Sequence, residues 1–342
     1  MAAPRVGVSL VTCNSEAYIE RCLEALLGQT GVNLDVVVVD NGSTDRTREI
    51  LQRYRSRLRF IRSNRNLGFA RAQNQAIRRT SAPWVLAVNP DVLLTPSFVR
   101  DLVEAGEADP QAGTVCGKLL SIGKGFAPLV EPRIDSAGIY FTPAMRHFDR
   151  GWSEPDDGRY GRAEYVFGAS AAAALYRRAM IEDISFQDEF FDPDFFIYRE
   201  DADVAWRAQL LGWRCLYVPS ATGYHVRTVT PANRKTLAPV FNMHSVKNRF
   251  LMRIKNLTSG IWRLYWPSMT ARDLMVVGGC LLTEPRSLEA LFRVMRCGRR
   301  AWARRRWIMS RRRVTDRELA QWFQFEPVGM VSAQTEAVAA RT

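Results

Sequence analysis

The sequence predicts an α/β fold: a mostly parallel central sheet flanked by helices, followed by a basic helical C-terminal extension. Three observations carry that reading. Short apolar runs alternate with amphipathic helical stretches from Val6 onward, the pattern of βαβ units that build a parallel sheet. The run Val37-Val-Val-Asp40 breaks off at an acid and opens into Asn41-Gly-Ser-Thr-Asp45, so a buried strand delivers a carboxylate to the end of the sheet. Charge is segregated as well. Residues 247–317 hold 18 Lys and Arg against four acids, a larger excess than the +13 of the whole 342-residue chain, which leaves the body near neutral.

Val6–Val11 is the first strand, Glu16–Leu27 a helix with Ile19, Leu23, Leu26 and Leu27 on one face, and Leu34–Val39 the second strand. Ligands of parallel α/β sheets sit beyond the carboxyl ends of the strands, where Asp40 lies. A turn in which Ser43 or Thr44 caps the next helix accounts for Asn41–Asp45 without any ligand. Arg46–Tyr54 then forms a helix and Leu58–Arg62 a short strand. In Asn66–Ile77, Gly68 permits a close backbone approach where another helix begins. Trp84–Val88 is the next strand, and Asn89-Pro-Asp91 follows it. An acid at that point is placed to hold a divalent cation on diphosphate oxygens, although Asn-Pro-Asp is also an ordinary turn sequence.

Pro96–Ala105 reads as a helix and Gly113–Leu120 as a strand. Residues 121–163 are rich in Gly, Pro and charge, with Asp135–Phe141 as a short strand and Arg146–Gly151 as a loop. The small side chains of Val166–Tyr176 allow close approach to a ligand, and core packing accounts for them equally. Phe190–Tyr198 reads as an aromatic strand ending at Glu200-Asp201, where a helix starts; Asp203 and Arg207 form an i,i+4 pair and Gly212 ends it. The helix dipole favours an ionised acid in the first turn, which suits a base, and acids there also serve helix stability alone. Trp213–Pro219 is another strand, with His225 and Arg227 beyond it. A lone histidine is more often a structural hydrogen-bonder than a ligand, and His147 and His244 are assigned no chemistry.

Residues 8–14 and 39–45, together with Asn66–Ile77, Asn89-Pro-Asp91 and Glu200-Asp201, resemble the family 2 inverting glycosyltransferases, a likeness that covers about residues 6–228. The resemblance implies a GT-A, Rossmann-like fold and transfer of a sugar from a nucleoside diphosphate to a hydroxyl with inversion. It implies that Asp40 and Thr12 lie at the pyrimidine base and that Arg71 and Asn74 face the donor. Asp91 would bind Mg2+ or Mn2+ with His225 as a second metal ligand. Asn89 stands where the family's Asp-x-Asp has its first acid, and would hydrogen-bond ribose or phosphate; Arg227 would neutralise diphosphate charge. Asp201 would be the general base, with Glu200 orienting the site or binding acceptor. The Asp135 segment, Phe167-Gly-Ala and Glu200-Asp201 look most like bacterial rhamnosyltransferases. That likeness implies a dTDP- or UDP-sugar donor and a glycan or polyprenyl-linked acceptor in cell-surface polysaccharide synthesis. A dinucleotide-binding reading is weaker, because no Gly-x-Gly-x-x-Gly follows the first strand.

Six cysteines without a C-x-x-C pair suggest neither a zinc knuckle nor a disulfide framework, and a reducing cytoplasm is expected. The chain enters a strand by Val6, leaving no room for a secretory signal, and no apolar stretch approaches the roughly 20 residues that span a bilayer. The expected division is a catalytic domain at 1–245, a basic Trp-containing helical region at 246–325 and a disordered tail at 326–342. The basic region, with Trp262, Trp266, Trp302 and Trp307, has two readings: contact with an anionic surface at the inner face of the cytoplasmic membrane, or a solvated face packed partly on the body. Two other classes stay open. One is a nucleic-acid-binding protein acting through the Arg-rich tail, opposed by strand-end acids that repel phosphate, so no nucleic acid is expected. The other is a homologue that binds nucleotide sugar without catalysis, kept open by the altered Asp-x-Asp.

Overall fold

The computed structural model describes residues 3–227, 239–283 and 285–324; the expected tail at 326–342 lies outside them. In chain order the first half contains β1 (Arg5–Thr12), α1 (Ile19–Leu27), β2 (Asn33–Asn41), α2 (Thr47–Arg53), β3 (Arg59–Ser63), α3 (Phe69–Ile77), β4 (Trp84–Val88), β5 (Val92–Leu94), α4 (Phe98–Ala108) and β6 (Ala112–Ser121). There follow β7 (Ile134–Ser136), β8 (Ile139–Phe141), β9 (His147–Asp149), β10 (Glu164–Val166), β11 (Ala173–Arg177), α5 (Arg178–Ile184), α6 (Glu200–Leu210) and β12 (Arg214–His225). Helices α7 (Pro239–Asn256), α8 (Ser259–Thr283), α9 (Glu289–Ser310) and α10 (Asp316–Ala320) complete the described chain.

The main sheet runs β10-β12-β6-β11-β4-β1-β2-β3, with β5 on β12 and β7 on β6. Its β4-β1-β2-β3 block is parallel, β12 is parallel to β6, and β11 enters antiparallel between β4 and β6. Val36–Val39 are buried because β2 is covered on both faces, which is why it reads as an unbroken valine run. The register sets Thr12 directly beside Asp40, and Leu10 beside Val88. Asp40, Thr12 and Asn89 therefore line up across neighbouring strand ends.

Three local expectations are corrected. Helix α1 starts at Ile19 rather than Glu16: residues 16–18 form a turn in which the Tyr18 and Ile19 amides both donate to the Ser15 carbonyl (3.0 Å each), and the Ser15 amide is bonded to Thr47 Oγ1 (2.8 Å) and the Glu16 amide to Asp45 Oδ2 (3.1 Å). The stretch at 135–151 is a strand break and a hairpin: Gly138, at φ +105°, separates β7 from β8, and β8 pairs with β9. The aromatic stretch before Glu200 is a loop. Phe196, Tyr198 and Arg199 have φ of 66°, 68° and 70°, while Phe190, Phe191 and Phe195 are buried, so hydrophobicity there marks core-filling side chains and not a pleat. This loop also explains Gly68 (φ +85°): a Cβ there would lie 2.5 Å from the Phe196 ring and 2.8 Å from its carbonyl oxygen. That carbonyl accepts the first amide of α3, from Phe69, at 2.6 Å.

The C-terminal helices share one core with the sheet. Leu251, Met252, Ile261, Met269, Ile308 and Phe323 pack in the same cluster as Phe141, Phe167 and Trp206. The Phe323 ring lies 5.1 Å from that of Trp206 and 5.7 Å from that of Phe141. Full burial of one such side chain is worth about 1.5–3 kcal/mol, so this apolar seam alone fastens the extension to the body.

Polar contacts fasten it further. The buried Lys255 ammonium on α7 lies 2.6 Å from Asp192 Oδ2 and 2.8 Å from Asp203 Oδ1. Asn256 Nδ2 donates to Asp203 Oδ1 (2.8 Å), and Arg207 Nε to Asp203 Oδ2 (2.9 Å). The Asn248 amide nitrogen sits 2.9, 2.8 and 2.8 Å from the carbonyl oxygens of Phe195, Ile197 and Tyr198. Lys255→Met leaves two buried carboxylates short of a cation and is expected to cost about 3–5 kcal/mol, read as a lowered urea midpoint; an unchanged midpoint would show that the pair carries no net stability.

Candidate active site

At the carboxyl ends of the parallel strands, Asp40 is fully buried at the end of β2. Its Oδ2 accepts from Arg48 Nε (2.6 Å) and its Oδ1 from the Ser43 amide (3.2 Å). Thr12 is likewise buried, and its Oγ1 has no hydrogen-bond partner among the described residues. Gly42 completes this turn at φ +87°, where a Cβ would lie 2.7 Å from the Arg65 backbone. Arg71 is exposed on α3. Asn74, expected at the donor, is instead buried. Its Nδ2 donates to the Phe191 carbonyl (2.7 Å) and its Oδ1 accepts the Phe191 amide (2.9 Å), so it braces the loop before Glu200.

A second group forms where β12 ends against β5. His225 pairs with Val92, and the Val226 amide donates to the Asp91 carbonyl (3.0 Å), which brings the two predicted metal ligands together. His225 Nε2 is 3.5 Å from Asp91 Oδ1, and that buried oxygen has no hydrogen-bond partner among the described residues. On its other side His225 Nδ1 is 2.7 Å from Asp135 Oδ2. Burial would lower the His225 pKa, but Asp135 and Asp91 outweigh it and raise it to about 10. Burial would raise that of Asp135, but His225 and Arg227 hold it well below the usual carboxylate range.

Among the described residues no three His, Cys, Asp or Glu side chains gather as a complete metal-ligand set. The Asp91–His225 pair nevertheless fits a divalent ion that takes its other ligands from diphosphate and water. The Asp91 oxygen without a partner faces Nε2, and the Asp135 carboxylate holds the opposite ring nitrogen and so fixes the ring; a bound cation would displace the proton that these two acids favour on Nε2. Arg227 is committed elsewhere: Nε donates to Asp135 Oδ1 (2.7 Å) and Nη2 to Asp149 Oδ2 (2.7 Å). It acts first as a strut between β7 and β9.

Glu200 and Asp201 open α6, behind Arg199 in the left-handed region. Asp201 Oδ1 accepts the Ala202 amide (2.7 Å) and Oδ2 the Ala171 amide (3.4 Å). The next residue, Ala172, accepts the Asn89 amide at 2.9 Å, so two consecutive alanines tie the end of β4 to the helix start. Burial and then the charge of Asp149 raise the Asp201 pKa to about 6. Burial and then Asp201 raise that of Glu200 to about 8, and its buried Oε2 has no partner among the described residues. The helix dipole was expected to favour ionisation here; desolvation outweighs it.

Asp149 thus joins the two groups, paired with Arg227 and close enough to Asp201 to raise its pKa. Sequence reading missed Asp149, Asp135 as a site member, and Arg48. An acid set between Ile134 and Ser136-Ala-Gly-Ile was the available signal for Asp135. His147, given no role, lies 2.9 Å by Nδ1 from Arg199 Nη1. His244 stacks on Phe196 at 4.9 Å, and burial lowers its pKa to about 4, in keeping with a structural part.

The chain that carries these groups is similar to known proteins. The family model "Glycosyl transferase family 2" matches residues 8–185, and the chain belongs to that family. It is 29% identical over 235 residues to the N-acetylglucosaminyl-diphospho-decaprenol L-rhamnosyltransferase of Mycobacterium tuberculosis, covering 64% of this chain and 75% of that one. Among solved structures, residues 1–349 of S. aureus TarS in complex with UDP align at a TM-score of 0.54 and 18% identity, over 95% of this chain and 94% of that one. GalNAc-T7 with UDP, GalNAc and Mn2+ aligns at 0.57 and 13% identity; the match covers 74% of this chain and 48% of that one. The GT-A fold and the basic helical extension expected from the sequence are both present.

The raised Glu200 pKa carries a stability consequence. As pH rises above 4.5 the unfolded chain gives up this proton first, so stability falls until the folded group also ionises near 8. Glu200→Gln is therefore expected to melt above the wild type at pH 8, with the gap closing by about pH 5, where both side chains are neutral. Equal melting temperatures at pH 8 would contradict the buried placement.

Proposed function

We propose that this glycosyltransferase moves rhamnose from a dTDP- or UDP-linked donor to a hydroxyl of a glycan or polyprenyl-linked acceptor in cell-surface polysaccharide synthesis. The observation that carries the mechanism is the Asp201 carboxylate. It is desolvated, held by two backbone amides and tied through Ala171-Ala172 to the strand end that carries Asn89. The name of the Mycobacterium tuberculosis relative, with its rhamnose and its diphospho-decaprenol acceptor, supports the choice of sugar and of lipid carrier.

Asp40 and Thr12 border the pyrimidine base, while Arg71 and Asn89 reach the ribose and phosphates. Asp201 takes the proton from the acceptor hydroxyl as its oxygen attacks the anomeric carbon from the face opposite the diphosphate. The glycosidic bond to the nucleotide breaks and the configuration inverts. A pKa near 6 leaves Asp201 mostly ionised at neutral pH yet basic enough to accept that proton. Glu200 orients the site on the acceptor side. Asp91 and His225 hold Mg2+ or Mn2+, a choice supported by the Mn2+ bound with UDP in GalNAc-T7; when bound, such an ion offsets charge on the departing diphosphate. Arg227 adds positive charge nearby and, through Asp135, fixes the His225 ring. All six cysteines are free thiols, which suits a reducing cytoplasm.

Asp201→Asn is expected to lower kcat by about 10²- to 10⁴-fold while the calorimetric affinity for the donor stays near that of the wild type. Near-wild-type turnover would remove Asp201 from the role of base. EDTA and Asp91→Asn are each expected to weaken donor binding, measured across a panel of UDP-, dTDP- and GDP-sugars; unchanged binding in both would remove the metal from the reaction.

A further inference from the structure

Among the described residues, ten of the fifteen exposed large apolar side chains lie on α8 and α9. On α8 they include Trp262, Trp266, Leu274, Met275, Leu281 and Leu282, and Arg263 is the one exposed charged residue between Trp262 and Leu282. A helix with this many large apolar side chains normally has them covered, yet these are bare. No helix of the described residues is long and apolar enough to cross a membrane. On α9 the outer stripe has a different composition. Phe292, Met295, Arg296, Arg299, Trp302 and Arg306 recur at helical spacing and are all exposed, while Ala290, Ala301, Arg304 and Ile308 face inward. Arg263, Arg286, Arg296, Arg299 and Arg306 form no ion pair among the described residues.

We infer that the outward faces of α8 and α9 dock on an anionic lipid bilayer, with the apolar side chains in the headgroup layer and the unpaired arginines on lipid phosphates. A second copy of the chain would also cover the apolar side chains, but a symmetric contact would press two arginine stripes together. Anionic lipid neutralises them instead, and each basic residue at such a surface strengthens binding roughly fivefold. The inference stands apart from the transfer reaction, since it concerns vesicles that contain neither donor nor acceptor. It would link the membrane-facing helices to the active-site loop, because α7 packs on α9 and carries the Asn248 and Lys255 contacts to that loop.

The test is flotation of the full chain with vesicles of phosphatidylcholine alone or with about 30% phosphatidylglycerol, at physiological salt. Binding is expected only to the anionic vesicles and is expected to be lost in 1 M salt. Leu281→Asp with Leu282→Asp, and separately Arg296→Glu with Arg299→Glu, are each expected to lower the bound fraction roughly tenfold or more, with unchanged circular dichroism and transferase activity. Absence of flotation, or flotation that both double variants retain, would overturn the inference. So would a wild-type dimer in light scattering that Leu281→Asp with Leu282→Asp dissociates. Those results would leave the catalytic reading intact, as loss of the Asp201 assignment would leave the flotation result.

Discussion

The buried ammonium of Lys255, between Asp192 and Asp203, is the contact on which the active end of the molecule depends. Asp192 belongs to the loop before Glu200, Asp203 to the first turn of α6, and Lys255 to a helix some fifty residues further on. Three elements that have little regular hydrogen bonding to one another thus meet at one charge. A loop with left-handed backbone at Phe196, Tyr198 and Arg199 has no ladder to hold it. Beyond turn bonds such as that from the Phe195 amide to the Asp192 carbonyl, it is held from outside: by Asn248 beneath its carbonyls, by Asn74 on the amide and carbonyl of Phe191, and by Phe69 on the carbonyl of Phe196.

Five carboxylates near the site illustrate how surroundings set a group's part in the chemistry. Asp135 and Asp203 are as deeply buried as Glu200, yet each faces cations that outweigh the desolvation, and each stays charged and structural. Glu200 meets the charges of Asp201 and Asp203, and Asp201 that of Asp149, with no cation in hydrogen-bonding contact, and their pKa values rise. Asp149 is paired with Arg227 and still close enough to act on Asp201. Carboxylates of one type thereby divide into ionised struts and groups that hold their protons to higher pH by the sign of their neighbours' charge.

What was legible in the sequence was whatever local pattern encodes. The valine run of β2 ending at Asp40, the Asn89-Pro-Asp91 turn and the helix opening at Glu200-Asp201 could be placed from a few neighbouring residues, and the structure puts all three at the ends of their elements. The loop before Glu200 misled because buried aromatic side chains carry the same hydrophobic signal on irregular backbone as on a strand. Asp135, Asp149, Arg48 and Lys255 were not legible as site or support residues. The bonds that define Asp135 span about ninety residues and those of Lys255 about fifty to sixty, and a single sequence carries no mark of which distant charge is the partner.

The joint core of the sheet and the C-terminal helices sets a schedule for the chain's own synthesis. The sheet and the strand ends that carry Asp40, Asp91 and His225 are all present once β12 has left the ribosome. The loop that aims Asp201 then still lacks Asn248, Lys255 and the Arg304 contacts to Glu189 and Asp192, and Trp206 still lacks Phe323. A nascent chain can therefore complete its sheet well before the loop that leads into Asp201 is fixed in place. The turn that carries Glu200 and Asp201 takes its support from helices that follow β12 in the chain.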